Sequence, residues 1–189
     1  FLIFSQQIFA QSFEITKTLE VNKGYFNFYY DSSNDKIYLE VDKLNEEFLY
    51  VNSLAAGIGS NDIGLDRGQL GQRSVVKFIK AGNKLLLIQP NLKYRAITTN
   101  IEEKKSVEEA FAQSVLFGFK IEEQKKDSYL IDISTFLIRD AHGVSKRLND
   151  AKQGAYKLDL SKSAFYLERT KTFPKNTEFE ALLTFKGDA

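Results

Sequence analysis

The 189 residues contain no cysteine and only one histidine, so the chain can build neither a disulfide framework nor a zinc site of the usual His and Cys types. An excess of either charge is also lacking: 26 Lys and Arg against 25 Asp and Glu leave a formal charge of +1, which excludes a dedicated nucleic-acid or polyanion binder. Proline occurs twice and glycine 11 times, too few for a collagen-like or low-complexity chain, and a hydrophobic share of 43% excludes disorder. No apolar run approaches the roughly 20 residues of a membrane-crossing helix. What remains is a folded globular chain. At this length it buries about 70% of its unfolded surface and needs no covalent or metal staple.

No methionine occurs and the first residue is Phe1, which suggests a piece of a longer gene product. Phe1, Leu2, Ile3, Phe4, Ile8, Phe9 and Ala10 form an uncharged apolar run broken only by Ser5, Gln6 and Gln7. The run has the size of the end of a secretory h-region, with small residues suited to cleavage after Ala10 or Ser12. An apolar first strand or a tail is the alternative. Residues 1–12 are therefore expected to be the end of a signal peptide, the product exported, and residues 13–189 one β-rich domain.

Strict alternation dominates that domain. Ile37, Leu39 and Val41 face one way and Tyr38, Glu40 and Asp42 the other, as a half-buried strand requires. The same period runs through Phe26, Phe28 and Tyr30, through Tyr156, Leu158 and Leu160, and through Phe179, Ala181, Leu183 and Phe185. Ser32 to Asp35 is a polar turn cluster that joins the first two strands into a hairpin. Ala81, Gly82 and Asn83 read as a three-residue loop between Ser74–Lys80 and Lys84–Gln89. Leu85 to Ile88 is apolar on both faces and belongs inside the sheet. Ser106 followed by Glu109 matches a capping box, and Val107, Ala110, Phe111, Val115 and Phe119 then predict a helix whose apolar stripe lies on the sheet. A second helix is predicted between Asp140 and Asp150. The expected fold is α+β and β-rich: a twisted or two-layer antiparallel sheet with one or two packed helices.

The least ordinary segment is Ala55 to Arg73, which holds five of the eleven glycines: Gly57, Gly59, Gly64, Gly68 and Gly71. Loops of this length tend to be functional or to pack as Ω-loops. Gly57 and Gly59 are half of a dinucleotide fingerprint without its third glycine or its helix, and no Gly-Lys-Ser or Gly-Lys-Thr follows to cradle a phosphate. Asn61, Asp62 and Asp66 offer oxygen ligands, but their spacing fits no EF-hand loop. The favoured reading is that Asp62, Asp66 and Arg67 hydrogen-bond the loop's own backbone. Asp140, two positions before His142, could orient an imidazole for base catalysis, yet no companion nucleophile or second histidine exists. A turn histidine satisfied by its neighbours is the stronger reading. Among the crowded aromatics of Tyr25 to Tyr30, Tyr29 is the candidate to be exposed and to stack on a sugar or a peptide.

The wording of several segments is similar to a known family. FLYVNSLAAGIGSNDIGLDRGQLG at Phe48 to Gly71, VVKF at Val75 to Phe78, LLLIQPNLKYRA at Leu85 to Ala96, FLIRDAHGV at Phe136 to Val144 and SAFYLERTKTFPKNTE at Ser163 to Glu178 resemble secreted bacterial zinc-dependent metalloproteases. The likeness spans nearly all of residues 20–187. It implies an N-terminal domain of unknown function, followed by a metzincin-like catalytic domain with a His-Glu-x-x-His helix. On that resemblance this segment carries no catalytic residue and no cofactor, and zinc belongs to the downstream domain. The expected partners are that protease domain and a peptide substrate, with no nucleic acid and no transmembrane segment. The expected docking or cleft-lining residues are Gly57, Gly59, Asn61, Asp62, Asp66, Arg67, Gly68, Arg139, Asp140 and His142. The alternative is a glycan- or peptide-binding β module without a catalytic role.

Overall fold

The computed structural model describes residues 13–59 and 61–188, so the expected leader at 1–12 lies outside the described residues. Eight strands build one antiparallel sheet: β1 (Val21–Asn22), β2 (Asn27–Asp31), β3 (Lys36–Val41), β4 (Phe48–Ser53), β5 (Leu70–Ala81), β6 (Lys84–Gln89), β7 (Ser114–Lys125) and β8 (Ser128–Asp132). Their order across the sheet is β1-β2-β3-β8-β7-β6-β5-β4. Three helices accompany it, α1 (Ile101–Ala110), α2 (Ser134–Leu137) and α3 (Val144–Asp150). The β-rich α+β class expected from periodicity is the observed one.

Local chemistry explains the hairpins. Asp31 Oδ1 accepts from the Ser33 amide at 2.9 Å and its hydroxyl at 2.6 Å, while Asn34 Nδ2 donates to Asp31 Oδ2 at 2.8 Å, closing the β2–β3 turn. These donors, led by Asn34 and Ser33, hold the Asp31 carboxyl down at about 2. The β5–β6 turn is tighter than expected. Ala81 pairs with Lys84, leaving only Gly82 and Asn83 in the loop, with Gly82 at φ 59°.

The sheet curls, so that side chains from its two ends meet over one core. Phe26, beside β2, touches Phe48 of β4 and Phe78 of β5, with ring centroids 5.3 and 5.9 Å apart. Ile37, Leu39, Val41, Val76, Leu85, Leu87, Phe119 and Ile131 fill the rest. The convex face over β2, β3 and β8 is also covered, by Phe13 packed with Tyr29, Tyr38 and Leu130. The Glu123 carboxylate fastens that segment by accepting from the amides of Glu14 at 2.8 Å and Ile15 at 2.6 Å. This covering overturns the expectation for Tyr29: its ring is buried and its hydroxyl donates to Glu40 at 3.1 Å, so it presents no stacking face. Burial, reinforced by the Glu40 charge, pushes that phenol up to about 12.

The first predicted helix is misplaced. α1 begins at Asn100, whose Oδ1 accepts from the Glu102 amide at 2.9 Å, so Ser106 lies mid-helix and caps nothing. No α1 residue is buried, and Val115 and Phe119, expected on its stripe, lie in β7. The second predicted helix is α3. The C-terminal part forms three short ladders from β9 (Ala155–Leu158), β10 (Ala164–Phe165), β11 (Lys171–Phe173), β12 (Asn176–Glu178), β13 (Ala181–Leu182) and β14 (Phe185–Asp188). Two alternating runs are therefore broken: Leu160 falls in a 3-10 turn, and Phe179 precedes β13. Phe179 and Phe165 cover Phe28 and Tyr30, with ring centroids 5.2 and 6.4 Å apart.

Candidate functional site

The glycine-rich loop is the connection of the β4–β5 hairpin, and the Arg139–Gly143 turn leads into α3. The two meet. Arg147, on α3, donates from Nη1 to the carbonyls of Ile63 at 3.0 Å and Gly64 at 3.2 Å, and from Nε to the His142 carbonyl at 3.1 Å. One guanidinium therefore ties loop, turn and helix together, using the forked donors that lysine lacks. Gly64 is required there: its φ is 65°, and a Cβ would lie 2.9 Å from Arg147 Nη1.

The loop's charged side chains do not hold it, contrary to expectation. Among the described residues Asp62 and Arg67 are exposed, and neither they nor Asp66 make a side-chain hydrogen bond or ion pair. The backbone and Leu65 do the work instead. Leu65 is buried, the Ile58 amide donates to the Leu65 carbonyl at 3.3 Å, and the Gln69 amide donates to the Asp66 carbonyl at 3.0 Å. Gly68 donates to the Leu54 carbonyl at 2.7 Å, prolonging the hairpin ladder. Gly57 lies against the Leu65 to Arg67 backbone, Gly59 stands in open space, and Asn61 opens a 3-10 turn that ends at Ile63.

At the turn each predicted residue has a structural task. Asp140 accepts from the Val144 amide at 2.7 Å through Oδ1 and the Ser145 amide at 3.0 Å through Oδ2, which caps α3; the hydrogen bond of the His142 side chain goes to the Ser53 backbone instead. His142 covers Gly71, where a Cβ would lie 2.9 Å from its Cε1 and 3.3 Å from the Asn52 Cβ. Burial pushes the imidazole below its usual range, against a hydrogen bond to the Ser53 backbone that favours the charged form; Arg147 adds to the depression. Arg139 stacks on the Phe136 ring at 4.3 Å and donates to the Phe136 carbonyl at 2.9 Å and the Tyr50 hydroxyl at 2.8 Å. Tyr50 in turn donates to Asn52 Oδ1. Asn52 Nδ2 is buried without a partner.

Sequence reasoning missed Arg147, Tyr50 and Asn52. No spacing reveals that Arg147 reaches across to a loop so distant in the chain. Among the described residues no three His, Cys, Asp or Glu side chains gather as a metal site. Among the described residues no helix is long and apolar enough to cross a membrane.

A curled antiparallel sheet with a latched loop and turn at one end defines a β-rich α+β domain. The chain belongs to the family described as a domain of unknown function (DUF5117), which matches residues 68–189, more than half its length. Residues 13–57 match a second family, described as a domain of unknown function (DUF5118). No curated protein and no solved structure matches.

Proposed function

We propose that this chain is the noncatalytic N-terminal domain of an exported zinc-dependent metallopeptidase, where it supports or covers a downstream protease domain that carries the zinc. The wording of the glycine loop, the Arg139 to Val144 segment and the Ser163 to Glu178 segment supports the peptidase link. One structural observation supports the docking role. Arg147 and His142 join two distant, glycine-bearing segments into a single surface, while the charged Asp62 and Arg67 project from it unpaired among the described residues. A surface held rigid from behind, with free charges in front, suits domain docking.

The test uses the full-length gene product. Asp62→Ala and Arg67→Ala touch no core contact, so thermal stability is expected to hold while peptidase activity or domain association changes. Unchanged activity and association would overturn the docking role. A coding sequence without a downstream His-Glu-x-x-His motif, or chelator-sensitive proteolysis by residues 13–189 alone, would overturn the peptidase reading.

A further inference from the structure

The sheet has two edges, and they differ. β1 is only two residues long, too short to template another strand. β4 is six residues long, Phe-Leu-Tyr-Val-Asn-Ser, with neither charge nor proline, and pairs only with β5 among the described residues. Its register shifts between Val51 and Ser53, so the straight part of the free edge is Phe48–Val51. Inward, Phe48 and Tyr50 pack against the core. Outward, Leu49 is 68% exposed and Val51 39% exposed, an unusual display of aliphatic surface beside unpaired backbone groups.

The residues just before β4 add charge. Glu46 and Glu47 are exposed and have no ion-pair partner among the described residues. By strand alternation Glu47 shares the outward face with Leu49 and Val51. The edge therefore offers, in order, a carboxylate, an isobutyl and an isopropyl group on one face, with free N–H and C=O groups between them.

We infer that β4 is a docking edge for an extended polypeptide segment, which adds to the sheet as a ninth, antiparallel strand. Read from its N-terminus, the segment carries apolar residues opposite Val51 and Leu49 and a lysine or arginine opposite Glu47: apolar, any, apolar, any, basic. Antiparallel addition continues the pattern of every other pair in the sheet and is the slightly more stable arrangement. The charge pattern also selects the occupant. A second copy of this chain is the other natural partner for an open edge, but residues 46–55 contain no Lys or Arg, so its β4 brings no cation to Glu47. This inference stands on the strand edge and does not depend on the peptidase reading.

The probe is a fluorescein-labelled peptide, Thr-Val-Thr-Val-Thr-Lys-Thr, with its binding to the whole chain read by fluorescence anisotropy. Saturable binding is expected. Leu49→Lys removes one apolar contact and weakens binding about tenfold or more. Glu47→Lys weakens it about two- to fivefold, and the same variant gains a similar factor for a peptide whose lysine is replaced by glutamate. Both positions are exposed, so an unchanged circular dichroism spectrum is expected, and the charge swap reads a gain that misfolding cannot produce. No saturable binding, binding indifferent to Leu49→Lys, or failure of the swap would overturn the inference. So would a concentration-dependent dimer that Leu49→Lys dissolves, because the edge would then belong to a second copy.

Discussion

Replacing Arg147 by alanine tests the latch that makes loop and turn one surface. The side chain donates to three carbonyls, those of Ile63, Gly64 and His142. Arg147 is exposed, so each bond counts at the low end of its range, about 0.5 kcal/mol, and the three together contribute about 1–2 kcal/mol. That energy stabilises the loop locally rather than the sheet, because all three acceptors are carbonyls of the loop and the turn. Amide exchange in peptides spanning residues 56–68 is therefore expected to accelerate about five- to thirtyfold in Arg147→Ala, as seen by mass spectrometry. Exchange in the β2–β3 hairpin should not change. Arg147→Lys restores less than half the effect, since a point charge cannot span the carbonyls of loop and turn together. Gly64→Ala attacks the same latch from the loop side and should show the same signature. Equal acceleration across the whole chain, or none in the loop, would refute the assignment.

Asp140→Ala removes both N-terminal acceptors of α3 and should lower stability by about 0.5–2 kcal/mol in urea titration, while Asp62→Ala should not. The depressed His142 means that the unfolded chain takes up a proton at higher pH than the folded one. Stability from this residue is thus complete above its ordinary value of 6.5 and falls as pH drops through and below it; in His142→Asn the loss between pH 7.5 and 5.5, read as Tm, should be smaller than in the native chain. Residues 68–189 expressed alone should show no cooperative melting transition, because β5 would lose β4 and β8 would lose β3.

The hairpins and the α3 region were legible because local chemistry decides them. Alternation at Ile37, Leu39 and Val41 and the polar Ser32 to Asp35 turn leave a single solution. The first helix failed because two periods overlap: Val115 and Phe119 are four apart, but Val115, Phe117, Phe119 and Ile121 also alternate, and β7 takes the second pattern. Ser106 and Glu109 imitated a capping box inside a helix whose start had already been set by Asn100. Tyr29 misled for a different reason. A strand pattern assigns faces but does not say what covers the second face, and here Phe13 arrives from outside the strand's neighbourhood. At the site, the candidate glycines and Asp140 were visible in the sequence. Their partners were not, because Arg147 and Asn52 act across the fold and leave no local spacing.

The sheet order bears on how the two matched families relate. The segment at 13–57 supplies β1 to β4, which occupy both ends of the sheet, and the segment at 68–189 supplies β5 to β8 between them. The segment at 13–57 is split between the two ends, and the core joins both segments: Val41 and Ile131, or Phe48 and Phe78, come from different segments and share one core. Two sequence families thus describe one cooperative core, and residues 58–67, between the two matches, lie in the glycine-rich connection of the β4–β5 hairpin. Within that stretch Leu65 is buried and Gly64 is held against Arg147, while Asp62 and Arg67 are exposed. The two exposed charges that the proposed docking role rests on therefore stand on a connection whose backbone is held from within, so replacing Asp62 or Arg67 leaves the shared core intact while replacing Leu65 does not.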